Sequence, residues 1–207
     1  MRTSTSFGLL RHGETVWNKQ KRIQGRLDSE LTDAGRQDAR RWAQFLASAR
    51  WNWIRIAVSP APRAQKTAAI INEVLNLETE TLADLREQDW GTWEGLSWSE
   101  IEQDQKTILE EQIDSGWSFR PPGGESRQEV RDRARSALAA LGRRYPGEDI
   151  LVICHQGVIK SLVYAIEERN FKPDEKKLID KDSLQLLLFG EHGFAAQAYN
   201  IVPPEQT

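Results

Sequence analysis

The segment Asp149-Ile150-Leu151-Val152-Ile153-Cys154 offers no polar face, and it stops abruptly at His155. A run of this length and branching is a strand with both faces covered, which requires helices on each side of its sheet. Three further segments end the same way. Ser6 to Leu10 gives way to Arg11-His12-Gly13, Ile54 to Val58 to Ser59-Pro60, and a short third strand is read from Glu80 to Leu82. Helical spacing fills the intervals. Thr32 caps a helix that buries Ala39, Trp42, Ala43 and Leu46 and ends near Ser48. Ala64, Ala68, Ile71 and Leu75 form the inner face of the next, and Val130, Ala134, Leu138 and Leu141 that of a third over Glu125 to Arg144. A fourth runs from Val158 to about Glu168, and Ser183–Phe189 with Ala195–Val202 close the chain as an antiparallel hairpin around Gly190-Glu191-His192-Gly193. Strands alternating with helices predict an α/β fold, a three-layer α/β/α sandwich with a mostly parallel central sheet. Residues 1–207 are read as a single domain, with a cap insertion at about 90–124. Leu85 to Gly95 is punctuated by Gly and Trp, Leu96 to Ser115 is weakly helical and polar, and Pro121-Pro122-Gly123-Gly124 breaks the chain.

Composition removes several classes of function. Twenty-eight Lys and Arg stand against 31 Asp and Glu, a net charge of −3, so no global basic field recruits nucleic acid or a membrane surface, and an anion site must be local. No apolar stretch approaches the roughly 18 residues of a membrane span. Met1 to Gly8 lacks the apolar core of a secretory signal, which makes the cytoplasm the expected compartment. Cys154 is the sole cysteine, excluding an intrachain disulfide and a thiolate metal cage. Oligomeric state is open, a homo-oligomer included.

Ligands of open parallel sheets bind outside the carboxyl ends of the strands, and chemistry-bearing residues gather there: Arg11 and His12 after the first strand, Arg63 after the second, Glu87 after the third and His155 after the fourth. Taken singly, each has an ordinary explanation as a surface ion or a satisfied core histidine. Their shared edge does not. A metal held by His12, His155 and Glu87 is disfavoured, because Arg11 and Arg63 bring fixed positive charge to the same place. His192 reads as an exposed turn residue.

The segment Leu9-Leu10-Arg11-His12-Gly13-Glu14-Thr15-Val16-Trp17-Asn18 resembles the N-terminal signature of the histidine phosphatase superfamily, also called the phosphoglycerate mutase-like family. Four more segments are similar to that family in order: Gln24-Gly25-Arg26-Leu27-Asp28 to Gly35, Ser59 to Ala64, Leu85 to Gly95, and Val152 to Val158. The resemblance implies that His12 is the nucleophile, Glu87 the proton donor, and Arg11, Arg63 and His155 the phosphate pocket. It adds Asn18, Gln24, Gly25 and Gln156 as ligand contacts, Gln156 standing where many relatives carry a small residue. It implies no cofactor and no metal. The chemistry is consistent, since a neutral imidazole attacks phosphorus and neighbouring guanidinium groups lower a histidine pKa while binding phosphate oxygens. Glu87 needs a raised pKa to give and then take a proton, so it is expected to be partly buried; Glu94 and Glu14 lie close enough in sequence to compete.

The expected function is a metal-independent phosphomonoesterase acting on a small phosphorylated metabolite through a phosphohistidine. A cofactor-dependent phosphoglycerate mutase is the alternative. Family mutases carry Arg after the proton donor and an Arg pair in a longer insertion, whereas here Gln88 follows Glu87 and no Arg pair lies between Gly95 and Arg120. A non-catalytic phospholigand-binding module is the alternative from another class. Trp90, Trp93, Trp98 and Trp117, all in the insertion, are expected to roof the site.

Overall fold

The computed structural model describes residues 3–48 and 51–204. In chain order these form β1 (Thr5–Arg11), α1 (Val16–Lys19), α2 (Asp33–Leu46), β2 (Trp53–Val58), α3 (Pro62–Leu75), β3 (Glu78–Thr81), α4 (Trp98–Asp104), α5 (Lys106–Asp114), α6 (Arg127–Arg144), β4 (Asp149–Cys154), α7 (Gln156–Ile166), β5 (Leu184–Gly190) and β6 (Gly193–Ile201). The strands make one sheet in the order β3-β2-β4-β1-β5-β6. The first four run parallel, while β5 pairs antiparallel with β1 and with β6.

Alternation along the central strands produces the layers. Ile150, Val152 and Cys154 of β4, with Phe7 and Leu9 of β1, point into a core closed by Val130, Ala134, Leu138 and Leu141 of α6 and by Val158 and Leu162 of α7. Leu151 and Ile153, with Leu10, Ile56 and Val58, face Ala39, Trp42 and Leu46 of α2 and Ala64, Ala68 and Ile71 of α3. Leu75, placed inward by its spacing, is half-buried. Gly8 is required where β1 passes under Trp53, because a Cβ there would lie 2.5 Å from the indole ring. Among the described residues no helix is long and apolar enough to cross a membrane.

Several boundaries differ from expectation, α6 starting at Arg127 instead of Glu125 and β6 at Gly193 instead of Ala195 among them. β3 covers Glu78–Thr81 instead of Glu80 to Leu82; its Glu-Thr-Glu-Thr sequence occupies the sheet edge without a buried face, so it carries no hydropathy signal. The polar stretch after Leu96 forms two helices, α4 and α5, broken at Gln105. α7 starts at Gln156, two residues earlier than read, which makes His155 its N-cap.

Between Trp90 and Gly124 the chain builds a satellite core of Trp93, Ile101, Leu109 and Phe119 against Ile23. Its attachment is specific: Gly91 has φ +50°, and a Cβ there would run into the Pro122 carbonyl. Trp93 does not roof a site. It is fully buried, and its Nε1–H donates to Gln105 Oε1 at 2.9 Å.

Candidate active site

The β1–β4 pairing continues past the strand ends. The His12 N–H donates to the Cys154 carbonyl at 3.0 Å, which brings the rings of His12 and His155 to 5.3 Å between centroids. Gly13 is fixed beneath them by Thr67, whose hydroxyl accepts the Gly13 N–H at 3.0 Å and donates to the Arg63 carbonyl at 2.7 Å. His12 Nδ1 lies 2.8 Å from the Gly13 carbonyl, an acceptor only, so the ring proton sits on Nδ1 and Nε2 keeps its lone pair. That lone pair meets Arg63 Nε at 3.3 Å.

Arg63 enters from the first turn of α3 and is 1% exposed. Its five N–H groups are all occupied. Nη1 donates to the Leu27 carbonyl at 2.7 Å and to Asp28 Oδ1 at 3.0 Å, Nη2 to the Gly25 carbonyl at 2.8 Å and to His155 Nδ1 at 3.3 Å, and Nε to His12. The two longest of these point at the histidines. With Nδ1 of His155 accepting, its Nε2–H donates to Ser59 Oγ at 2.7 Å. Arg11 is less committed. Its Nε is buried without a partner, and Asp182 stands 3.9 Å from Nη1. A buried, orphaned guanidinium N–H is costly unless a ligand supplies the acceptor.

Both histidines are held far below the ordinary imidazole pKa. For His12 burial is the main cause, followed by the charges of Arg11 and Arg63; for His155 it is burial, then His12 and Arg63. Desolvation thus contributes more than the arginine proximity emphasised from sequence. Cys154, next to His155 in sequence, is fully buried, which pushes its thiol up to about 12.

Arg11, His12 and Arg63 open onto a cavity of about 370 Å³ that Glu87 also lines, partly buried as expected, whereas His155 is fully buried behind Arg63 and does not line it. Glu87 Oε2 accepts the N–H of Gly157, in the first turn of α7, at 3.3 Å, and Oε1 accepts the Gln88 N–H at 2.9 Å. The loop bearing it is held by Arg133 of α6, whose Nη2 donates to the Glu87 carbonyl at 3.2 Å and whose guanidinium pairs with Glu125 at 2.7 Å. The two competing acids sit elsewhere. Glu94 accepts the Arg26 N–H at 2.7 Å, and Glu14 accepts the Thr32 hydroxyl at 2.8 Å; neither lines the cavity.

Asn18, Gln24, Gly25 and Gln156 border the same cavity. Asn18 closes a capping box with Thr15, Gln24 Oε1 is buried without a partner, and Gly25 has φ +52° with Glu94 filling the space of a Cβ. Trp90 and Trp98 line the cavity too. Trp117 does not: it packs on Phe171 at 4.7 Å beside a separate surface groove, a correction to its expected roofing role. His192 is an exposed turn residue. Sequence reasoning missed Ser59, Arg133, Arg127 and Lys160. The first had a signal, since its hydroxyl ends a strand opposite His155; helix-surface cations such as the other three have none.

An imidazole held neutral beside two guanidinium groups, one of them with a buried, unpartnered N–H, suits an electrophile that brings its own negative charge, and a phosphoryl group is one. Fold and site together therefore define a phosphate-handling α/β enzyme. The chain belongs to the histidine phosphatase superfamily (branch 1), which it matches over residues 7–202. It is 31% identical over 197 residues to the uncharacterized phosphatase PhoE of Bacillus subtilis (strain 168), the match covering 95% of each. Over 166 residues it is 31% identical to the metal-independent phosphoserine phosphatase of Arabidopsis thaliana, covering 79% of this chain and 69% of that relative. The solved structure of Bacillus stearothermophilus YhfR superposes with a TM-score of 0.85 at 30% identity, over 96% of this chain and 98% of that one. Family and relatives support phosphatase activity.

Proposed function

We propose that the chain is a metal-independent phosphomonoesterase that hydrolyses a small phosphorylated metabolite through a phosphohistidine on His12. The observation that carries this reading is the buried, neutral His12 ring, with its Nε2 lone pair turned toward Arg63 at the cavity wall. The incoming phosphate takes the unpartnered Nε–H of Arg11 and draws to itself the two Arg63 N–H groups that otherwise rest on His12 and His155. Its charge raises the pKa of His155, which becomes a second-proton donor to the phosphate. Nε2 attacks phosphorus, the P–O ester bond breaks, and Glu87 gives its proton to the leaving oxygen. Water then attacks the phosphohistidine, Glu87 recovers a proton from it, and inorganic phosphate departs. The arginines supply the positive charge that a metal would otherwise bring, and the Arabidopsis relative named metal-independent agrees with that economy of parts. Gln88 donates to the Glu125 carbonyl at 2.7 Å and offers no charge where mutases carry Arg, which favours hydrolysis over transfer to a carboxylate-bearing substrate by that route.

Rapid quench with labelled substrate tests the reading. The expected result is acid-labile, base-stable label on His12, full activity in EDTA, and loss of p-nitrophenyl phosphate turnover in His12→Ala. Label on another residue, or EDTA inactivation reversed by a divalent ion, would overturn it; an inactive wild-type protein would return the fold to a phospholigand-binding role.

A further inference from the structure

The cavity has a second cationic end. Arg127, the first residue of α6, and Lys160, one turn into α7, both line it, on the side where Phe171 closes the wall. The Arg127 guanidinium lies 4.6 Å and the Lys160 ammonium 5.1 Å from the centre of the Phe171 ring, so two like charges flank one aromatic side chain. Neither makes an ion pair among the described residues. Arg127 gives one hydrogen bond, to the Gly116 carbonyl at 3.0 Å, and stacks on Phe119 at 4.0 Å. The acid that Lys160 feels most is Glu175, yet that carboxylate already accepts the N–H groups of Asn170 at 2.8 Å and Lys172 at 3.2 Å.

Each placement is unfavourable for an empty protein. A cation at the first position of a helix opposes the macrodipole, which favours acids there. Burial lowers the Arg127 pKa to about 10, and burial, then the Arg127 charge, lowers that of Lys160. Phe171 is itself held at φ +60°, a left-handed conformation that a bulky residue seldom adopts. Repelling charges, a reversed helix end and a strained aromatic residue coincide around Phe171 in the cavity wall, which is the pattern of a site completed by an anion.

We propose that Arg127 and Lys160 form a second anion subsite, so that the preferred substrate is a phosphomonoester carrying a further anionic group, a carboxylate or a second phosphate, on the same small skeleton. This deepens the phosphatase reading and rests on it. Arg127 and Lys160 line the same cavity of about 370 Å³ as His12, Arg11 and Arg63, so both anionic groups belong to one small molecule. The two cations arise from α6 and α7, outside the insertion in which mutase-like arginines were sought.

Matched substrates read the subsite. For the carboxylate, kcat/KM is compared between 3-phosphoglycerate and glycerol 3-phosphate; for a second phosphate, between fructose 1,6-bisphosphate and fructose 6-phosphate. The wild-type protein is expected to favour the charged member of at least one pair by tenfold or more, and the pair that shows it identifies the source of the anion. Arg127→Met and Lys160→Met, which keep much of the apolar stem, should each cut that preference at least fivefold through KM, and Arg127→Lys should retain part of it. A wild-type ratio near one in both pairs, or equal losses on both members, would overturn the subsite. p-Nitrophenyl phosphate turnover that depends on His12 separates this failure from failure of the phosphatase reading. If no monoester is turned over, calorimetric binding of the same pairs decides, a preference for neither charged member counting against the subsite.

Discussion

Arg63 illustrates how this site is made rigid before a ligand arrives: every donor is used, three on loop oxygens and two on the imidazoles of His12 and His155. Glu87 is positioned more delicately, by one N–H of α7 and by the absence of a side chain at Gly157, where a Cβ would stand 2.5 Å from Oε1. In the proposed role of acid for the leaving group, Glu87 would matter most when that group is a poor one. Glu87→Gln should slow alkyl phosphates by about 10²- to 10³-fold and p-nitrophenyl phosphate far less. Gly157→Ala should reproduce the same alkyl-over-aryl bias, because it pushes the carboxylate aside without touching a core side chain. Steady-state rates on both ester types check this, and equal losses on the two would deny Glu87 the role.

Among the elements, the insertion is the least regular in sequence and the most dependent on a few large side chains. Trp93 is the centre of its satellite core, in contact with Phe119 at 6.1 Å between rings and hydrogen-bonded through its indole. Trp93→Ala should cost about 3–5 kcal/mol, typical of a deleted core aromatic, while leaving the ranking of substrates unchanged. Urea titration alongside a substrate panel checks it. Trp90 and Trp98, by contrast, touch the cavity. Sequence periodicity could not separate these cases, because an indole over a pocket and an indole in a small core produce the same irregular spacing. It did separate the helices against the sheet: Ala39, Trp42 and Leu46 or Val130, Ala134 and Leu138 recur every three to four residues because one face meets a flat layer.

For the whole molecule, two buried neutral histidines tie stability to acidity. Their folded pKa values lie below the unfolded value near 6.5, so the unfolded chain takes up protons that the native chain refuses as pH falls below about 6.5. Stability is complete above that pH and declines beneath it, with a limiting slope of about 1.4 kcal/mol per pH unit for each histidine. Denaturant melts between pH 7.5 and 5 should show the decline, and His12→Gln should make it shallower; a flat profile would contradict the buried neutral state. The strand-end residues were legible because a parallel sheet converts sequence-distant strand ends into one edge: Arg11, His12, Arg63 and Glu87 border one cavity, and His155 is buried behind it against Arg63. Arg127 and Lys160 were not, because a cation on a helix has the same one-dimensional signature whether it meets water or a pocket. Ser59 and Arg133 act only through partners, and a partner is a three-dimensional fact.

Cys154 ends the strand beside His155 and is sealed from solvent, with its thiol pushed up to about 12. At neutral pH the group stays a thiol, and the thiolate is the form that oxidants and alkylating agents attack. The one sulfhydryl in the chain is thus silent although it adjoins the reacting groups. Peroxide, glutathione and changes in redox poise find no handle there, so activity is expected to be unchanged by oxidants or thiol-alkylating agents.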